Sequence, residues 1–483
     1  MITFIIGIIL LIAGYFTYGF IVERIFGIDP KRPTAAVTKA DGVDYIPLKP
    51  WKIFLIQFLN IAGVGPIFGA IMGAQFGTAS FLWIVFGSIF AGAVHDFVAG
   101  MISLRNDGAS LPEIHGKYLG NGIKQFMRGF MVILMILVGA VFVSAPAGLL
   151  AGLTHINITY WIIIVFAYYA IATLLPIDKI IGNIYPIFGI CLLFMVFGIM
   201  IALFYHYPQL PEFWEGMPNR RRDAATNPIF PMMFISIACG AVSGFHATQS
   251  PLMARCMTNE KQGRPIFYGA MITEGIVALV WAAAATYFFF DPSMDYKFIA
   301  EGQGNAAFVV NYVSKEWLGK VGYVLALLGV IAAPITSGDT AFRSARLIVA
   351  DFLHLDQKPI KNRLGVAIPL FAAGIGILLF SIMNKNGFEI IWRYFAWANQ
   401  VLAMVTLWAI TVYLHQQKKF YFITLLPALF MTMVCSTFIF IATKEGFGLN
   451  PTVSYTLGAL TTLCFLTLFI IKGRKKTELE QNV

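Results

Sequence analysis

Apolar residues run along this chain in blocks of about twenty, and the charges fall in the short gaps between them. A helix needs about 20 such residues to cross a bilayer's hydrocarbon core. Thirteen spans are predicted, at residues 3 to 22, 53 to 76, 79 to 104, 126 to 153, 158 to 175, 184 to 205, 229 to 254, 266 to 290, 321 to 336, 364 to 383, 390 to 414, 420 to 442 and 452 to 471. The expected fold class is therefore an all-α polytopic membrane protein. The longest gaps, 23 to 52 and 291 to 320, are too short for a soluble catalytic domain. No positive residue precedes the first run and no small-x-small site separates Val22 from Glu23, so it reads as a retained helix rather than a cleaved signal.

Composition agrees. Hydrophobic residues make up 58% and charged residues 12% of the 483, about half the charge of a water-facing surface. Membrane lipid is the expected solvent. The net charge of +10 sits in short clusters between spans, which argues for topology signals rather than nucleic-acid binding. One alternating set of loops holds 25 of the 34 Lys and Arg, the other 8, and Arg393 lies inside a span. That bias puts the first set, with the C-terminus, in the cytoplasm and the N-terminus outside. Arg220, Arg221 and Arg222 are the exception. The five cysteines form no C-x-x-C and no metal-ligand spacing appears, so neither zinc nor any other cofactor is expected.

Two segments outside the spans read as interfacial helices. Ser110-Leu-Pro-Glu113 has the form of a capping box, and Asp339 is placed to cap a stretch running to Leu353.

Glycine and proline break two spans near their middles. Span two carries Gly63-Val-Gly65-Pro66, and span seven carries Gly240-Ala-Val-Ser243-Gly244-Phe-His246-Ala-Thr248-Gln249. A second interruption follows two spans later in each case, at Pro146 and Pro334. Five spans separate the two broken helices, an odd number, so the second unit has opposite topology. That is the pattern of a transporter built from two inverted five-helix repeats of the LeuT/APC-like kind, its solute near the midplane. Residues 1–52 then form an added helix and loop, 53–205 the first repeat, 206–228 an outer loop, 229–414 the second repeat, and 415–483 two further helices and a basic tail. Unwound backbone needs hydrogen-bond partners that lipid lacks. Gly63, Gly65, Pro66, Gln75, Gly240, Ser243, Gly244, His246, Thr248 and Gln249, with Asn399 and Gln400 in span eleven, are the candidate solute-binding residues. Close helix packing is the competing use of the glycines, and tying helices together that of the amides.

Intramembrane carboxyls are costly and point to function. Asp96, preceded by His95, lies about 12 Å from one end of its span, and Glu274 about 12 Å from the start of its own. These three are the candidate proton-coupling residues. The structural alternative pairs the carboxyls with Arg105 or Arg255. Sodium is the other coupling ion to weigh, with Ala62, Thr336, Ser337 and Asp339 as the oxygen-bearing set.

Several blocks resemble the carbon starvation protein CstA family: Asp41-Gly-Val-Asp-Tyr, Ile61-Ala-Gly-Val-Gly-Pro-Ile, Ala91-Gly-Ala-Val-His-Asp-Phe, Asn106-Asp-Gly-Ala-Ser-Leu, Cys239-Gly-Ala-Val-Ser-Gly-Phe-His-Ala, the stretch Ser337 to Arg346, and Trp392-Arg-Tyr-Phe-Ala-Trp-Ala-Asn-Gln. The resemblance covers about Asp29 to Leu414. It implies a multi-pass transporter of the bacterial inner membrane that imports peptides or pyruvate during carbon starvation, with proton-linked uptake. Where longer members carry a His-His pair, this chain has Ile56-Gln57, and it resembles the short subgroup. The expected partners are lipid, a small solute and a coupling proton or sodium ion. A passive channel and an intramembrane enzyme are the rivals. The enzyme is weakened because no nucleophile and base stand at recognisable spacing, and no P-loop marks an ATPase.

Overall fold

A computed structural model describes residues 1–40, 45–174, 178–290, 305–355, 359–384 and 387–481. The motif residues Asp41 to Asp44, and Lys297, Lys358 and Lys385, lie outside the described residues. The chain is a helical bundle: α1 (Ile2–Phe26), α2 (Pro50–Ile61), α3 (Val64–Ala74), α4 (Ala79–Arg105), α5 (Leu111–Leu119), α6 (Asn121–Thr154), α7 (Ile158–Leu174), α8 (Asp178–His206), α9 (Ile229–Met233 running into Phe234–Ser236), α10 (Gly244–Ala254), α11 (Glu260–Phe290), α12 (Ala306–Phe352), α13 (Ile360–Met383), α14 (Gly387–Gln416), α15 (Phe422–Ile441) and α16 (Pro451–Gln481). Among the described residues, nine helices are long and apolar enough to cross a membrane, and the bent pair α2–α3 makes ten. The span expected at 158 to 175 corresponds to α7 as far as Leu174, and that at 321 to 336 lies in the part of α12 after a kink at Gly319 (φ 61°, ψ −173°), while 229 to 254 falls into the two short helices α9 and α10.

The helices that carry the breaks are central. α3 is buried along its whole length, α10 along nearly all of it, and α4, α11 and α14 surround them. Outer helices show their apolar faces: α16 and α13 bury little, as lipid-facing helices do. The loops gather at two ends. At one end Arg105, Glu260, Gly27 and Tyr413 meet; Lys39 pairs with Asp107 and Arg255 bonds the Gly108 carbonyl. At the other end Thr78 reaches Gly216, Arg221 reaches Gln75, and Tyr455 reaches the Phe230 carbonyl.

Only the first interruption of each unit is a break. The chain bends by 46° between α2 and α3, and it leaves helical geometry between α9 and α10, where Ile237 and Ser243 are non-helical. The interruptions expected at Pro146 and Pro334 do not occur: α6 and α12 run straight through them. A proline removes the N–H owed to the carbonyl four residues back. For Pro146 that acceptor is Phe142, and the buried Tyr169 hydroxyl of α7 serves it at 2.7 Å while also lying 3.0 Å from the Pro334 carbonyl. The helix therefore needs no unwinding there.

The surface-helix expectations are also revised. Ser110 does stand at the N-terminus of α5, but no capping box forms, because Glu113 turns to Lys124 and Arg128 of α6 at 2.6 and 3.0 Å. The stretch from Asp339 to Leu353 is not a separate helix. It continues α12 to Phe352, and Asp339 caps nothing; its carboxylate accepts from Tyr168 and Thr340.

Candidate functional site

The second break is held open by side chains rather than left bare. Asn399 Nδ2 donates to the Ala238 carbonyl at 3.1 Å, and its Oδ1 accepts the Phe245 N–H at 2.7 Å. Gln400 Nε2 donates to the same Ala238 carbonyl at 2.9 Å, and Ser88 donates to the Gly240 carbonyl at 3.1 Å. Ser243 exchanges hydrogen bonds with Asn399. Of the expected solute ligands, Asn399 and Gln400 thus serve the unwound backbone, the use that buried amides most often have in membranes, and Ser243 braces the Asn399 side chain. Ser88 opens a π turn, Ser88–Gly92, inside α4. Such turns re-aim a helix face and recur at functional sites.

The two breaks touch. A Cβ placed on Gly65 would lie 2.5 Å from both Cβ and Sγ of Cys239, and one on Gly240 2.5 Å from Ala278 Cβ. Gly244 faces the α14 backbone at 2.4 Å. None of these three has positive φ, so glycine is required at Gly65 by proximity and not by its dihedrals. Gly63 has ordinary room, with Phe142 and Ser337 Oγ at 3.6 Å. Pro66 follows directly and lies against Gly240, its Cα 3.6 Å from that glycine's Cβ position.

Below the breaks the ionisable residues expected from sequence come together in one chain of contacts. His95 Nδ1 donates to Asp96 Oδ1 at 2.7 Å, and His246 Nδ1 donates to Asp96 Oδ2 at 2.8 Å. His246 Nε2 lies 3.1 Å from Glu274 Oε2, at an angle too shallow for a hydrogen bond. All four side chains are fully buried. Three helices supply them: α4, α10 and α11. The structural alternative is overturned, because Arg105 pairs with Glu260 and Arg255 with the Gly108 carbonyl, and neither meets Asp96 or Glu274.

Charge accounting shows what this chain of contacts can do. Asp96 as a carboxylate fixes the Nδ1–H tautomer of both imidazoles. A proton held by this pair would stand either on His246 Nε2, as imidazolium beside carboxylate, or on Glu274, as carboxylic acid beside imidazole. Removing it leaves two buried carboxylates without a cation, which a low-dielectric interior resists.

On the other side of the first break, Ser337 Oγ donates to the Asn60 carbonyl at 3.1 Å, and Thr336 Oγ1 bonds the Ala333 carbonyl. Ala62 is the residue that ends α2. Of the residues of the sodium alternative, Ala62 and Ser337 stand at the break, Thr336 bonds within its own helix, and Asp339 turns to Tyr168.

Buried side-chain atoms without a hydrogen-bond partner include Gln57 Nε2 and Oε1, Asn60 Oδ1 and Gln249 Oε1 on the broken helices, with others elsewhere in the interior, such as Trp281 Nε1 and Thr437 Oγ1. Buried polar atoms normally have partners, so a site meeting water or solute is the natural setting for them. Gln57 and Asn60 were not among the expected ligands. Their spacing of three residues within an apolar run puts them on one face of α2, a signal that was readable. Thr248 bonds the Phe245 carbonyl and receives the Gln249 amide. Gln75, at the far end of α3, accepts from Arg221 and lines a separate polar cavity. A larger cavity of about 1120 Å³ lies between α14 and α16, among Trp397, Trp408 and Phe465, and none of these groups lines it.

His115 sits on α5, outside the spans. Burial pushes its imidazole down to about 3, and Nε2 lies 3.2 Å from Thr406 Oγ1. No group of three or more His, Cys, Asp or Glu suited to a metal ion occurs among the described residues.

The family model for carbon starvation protein CstA matches residues 1–160, 145–295 and 296–438. A Haemophilus influenzae protein described as an uncharacterized membrane protein is 43% identical over 366 residues, covering 65% of this chain and 99% of its own length. The peptide transporter CstA of Campylobacter jejuni is 27% identical over 86% of this chain and 76% of its own. The pyruvate/proton symporter BtsT of Escherichia coli is 29% identical over 55% of this chain and 46% of its own. Among solved structures, a manganese transporter of Eremococcus coleocola superposes with a TM-score of 0.56 over 90% of this chain and 99% of that one, at 11% identity, a likeness of fold alone.

Proposed function

Because the chain belongs to the carbon starvation protein CstA family, we propose that it is a proton-coupled uptake transporter for peptides or a small carboxylate such as pyruvate. The observation that carries this reading is His246, on the first turn after the second break, placed between Asp96 and Glu274. The solute sits by the breaks, near Gly63, Gln57, Asn60, Gln249 and Thr248, and the shared proton moves on the His246–Glu274 edge. The breaks belong to two inverted five-helix repeats, 53–205 and 229–414, with α1 before them and α15 and α16 after. The Arg105–Glu260 end faces the cytoplasm and the Gln75–Arg221 end faces outward, in keeping with the Lys/Arg bias. The membrane is the bacterial inner membrane.

The relatives support the solute class: two carry the names peptide transporter and pyruvate/proton symporter. The test is uptake into proteoliposomes of the full chain under an imposed proton gradient. Accumulation that collapses with an uncoupler is expected, as is its loss in Glu274→Gln with solute exchange retained, since the amide mimics the protonated acid and cannot release a proton. Sodium-dependent uptake at fixed pH, surviving that substitution, would reject the proton reading.

That second reading rests on its own observation, the Ser337 hydroxyl on the Asn60 carbonyl beside the break. It requires Ser337→Ala to abolish the ion dependence, where the proton reading expects that variant to keep its response to pH.

A further inference from the structure

The groove of about 1120 Å³ between α14 and α16 takes no part in the breaks or in the proton-bearing chain of contacts, and its two ends differ in chemistry. Along most of its length the walls are apolar, with Trp397, Val401, Met404 and Trp408 of α14 facing Phe465 and Leu468 of α16. Its shape follows from the packing of α16. Near the start of that helix Gly458 lies so close to α15 that a Cβ there would collide with Thr437 Oγ1. Against α14 large rings meet instead, Trp408 with Phe465 and Phe469 at centroid distances of 5.9 and 6.0 Å, which holds the two backbones apart. The polar groups of this stretch are already served. Trp397 Nε1 donates to the Cys435 carbonyl at 3.0 Å and Trp408 Nε1 to Thr432 Oγ1 at 2.9 Å, while the hydroxyls of Thr432, Ser436 and Thr461 bond carbonyls of their own helices. Carbon is what the walls offer.

The other end is cationic. Lys418, Lys419 and Lys472 line it, and among the described residues no Asp or Glu lines the groove. Lys419 Nζ donates to the Phe26 carbonyl and lies 5.2 Å over the Phe26 ring, and Lys472 Nζ donates to the Leu119 carbonyl at 3.5 Å. These partners are neutral, so both charges remain. Lys418 makes no ion pair within 4.0 Å and no hydrogen bond among the described residues. The acids of neighbouring elements are each met by two cations: Glu260 of α11 by Arg105 at 2.8 Å and Arg32 at 3.7 Å, and Glu113 of α5 by Lys124 at 2.6 Å and Arg128 at 3.0 Å. Burial, then the charge of Arg105, holds the Lys419 ammonium below its ordinary range despite the opposing pull of Glu260. The end is positive after its acids are counted.

We propose that this groove binds one anionic phospholipid, its phosphate among Lys418, Lys419 and Lys472 and an acyl chain laid along α14 toward Trp397. An ammonium has three donors, so Lys419 and Lys472 can take a phosphate oxygen without giving up the carbonyls they hold. From Gln416 to Trp397 α14 runs about 28 Å, and from Lys472 to Thr461 α16 runs about 16 Å. Both lengths reach the hydrocarbon depth of one leaflet, about 15 Å. Phe126 of α6 and Leu468 of α16 are exposed and flank the groove, so a lipid enters from the side. Basic pockets between membrane helices are where such headgroups bind. The bound chain backs the helix that holds the second break, since Trp397 and Val401 bracket Asn399 and Gln400 on α14.

The experiment reads binding without any transport. Purified full-length protein in phosphatidylcholine vesicles receives phosphatidylglycerol or more phosphatidylcholine, each brominated at mid-chain to quench nearby tryptophans. Trp408 lies about 12 Å along α14 from Gln416, at the depth of such bromines. Brominated phosphatidylglycerol is expected to quench at a roughly tenfold lower mole fraction than brominated phosphatidylcholine. Trp408→Phe should lose that added component, and Lys418→Gln with Lys472→Gln should remove the difference between headgroups. Both lysines are exposed, so folding is spared, and the headgroup comparison on the unaltered protein needs no variant. Equal quenching by the two lipids, or a preference for phosphatidylglycerol that the lysine substitutions leave intact, overturns the site. Displacement of the brominated phosphatidylglycerol by millimolar inorganic phosphate assigns the lysines to a free anion, and quenching lost as the protein dimerises assigns the groove to a second copy of the chain; either result overturns the lipid.

Discussion

Tyr169 donates its hydroxyl to the carbonyl oxygen of Phe142, the acceptor that Pro146 deprives of its helical partner. The residues lie on neighbouring helices, and one hydrogen bond makes the proline tolerable without a kink. Tyr169→Phe should lower thermal stability by about 1 to 3 kcal/mol, the cost of leaving a buried carbonyl unserved. Melting of the detergent-solubilised variant checks this. An unchanged melting temperature would mean that the carbonyl finds water instead.

Contact between the breaks gives a paired test. Gly65→Ala puts a methyl 2.5 Å from Cys239, and the expected outcome is loss of uptake at normal expression. Adding Cys239→Gly restores the space and should restore much of the uptake. A double variant as inactive as the single one would show that Gly65 matters for a reason other than this contact.

Asn399 is argued to position backbone, not to hold solute. Asn399→Ala leaves the Phe245 N–H without its acceptor, while the Ala238 carbonyl keeps the Gln400 amide. Stability should fall by about 1 to 3 kcal/mol, the cost of one unmet buried group. The preference among solutes should stay as it was. A selective change in KM for one solute, at unchanged stability, would make Asn399 a ligand instead.

At the end of the bundle opposite Gln75, Arg105 is gripped by Glu260 through two hydrogen bonds, 2.9 and 2.8 Å, and lies 4.2 Å over the Phe26 ring. Glu260 is buried and also accepts the Asp29 N–H. Glu260→Gln leaves a largely buried cation unpaired and should cost about 3 kcal/mol. It should also open this end, read as faster labelling of a cysteine placed at Ala109. Equal labelling in both proteins would leave the pair a local staple.

His115 provides a pH control. Its imidazole is pushed from 6.5 down to about 3, so it is neutral in the native protein at neutral pH. Because unfolding frees it to take up a proton, the native state loses stability as pH falls below 6.5 toward 3, by about 1.4 kcal/mol per unit. His115→Gln should remove that loss and leave the pH profile of uptake near neutrality unmoved. A shifted uptake profile would bring His115 into the coupling machinery.

Hydropathy made the helical, membrane-spanning class legible, because a lipid solvent imposes both length and apolarity on each helix. The first break in each unit was legible too, since glycine and proline cluster there. Pro146 was misread for a reason no local pattern contains: the hydroxyl that serves its orphaned acceptor comes from Tyr169, on another helix. Sequence named His95, Asp96, His246 and Glu274 separately, as costly groups in apolar runs. It could not show that His246 stands between the two carboxyls, which depends on packing between residues 150 positions apart. Asn399 and Gln400 were readable as buried amides, but whether they face solute or backbone was decided only by where the second break lies.

His246 rides on the short helix Gly244–Ala254, while Asp96 and Glu274 belong to the longer helices Ala79–Arg105 and Glu260–Phe290. Any swing of that short helix about its unwound start must carry the imidazole along an arc that the carboxylates do not follow. Hinge angle and proton occupancy are therefore conjugate variables of one equilibrium: whatever holds the ring in place biases the angle, and whatever sets the angle alters the hold on the proton. A spin-label distance across the hinge, followed against pH, would count the protons exchanged per swing without any solute being moved.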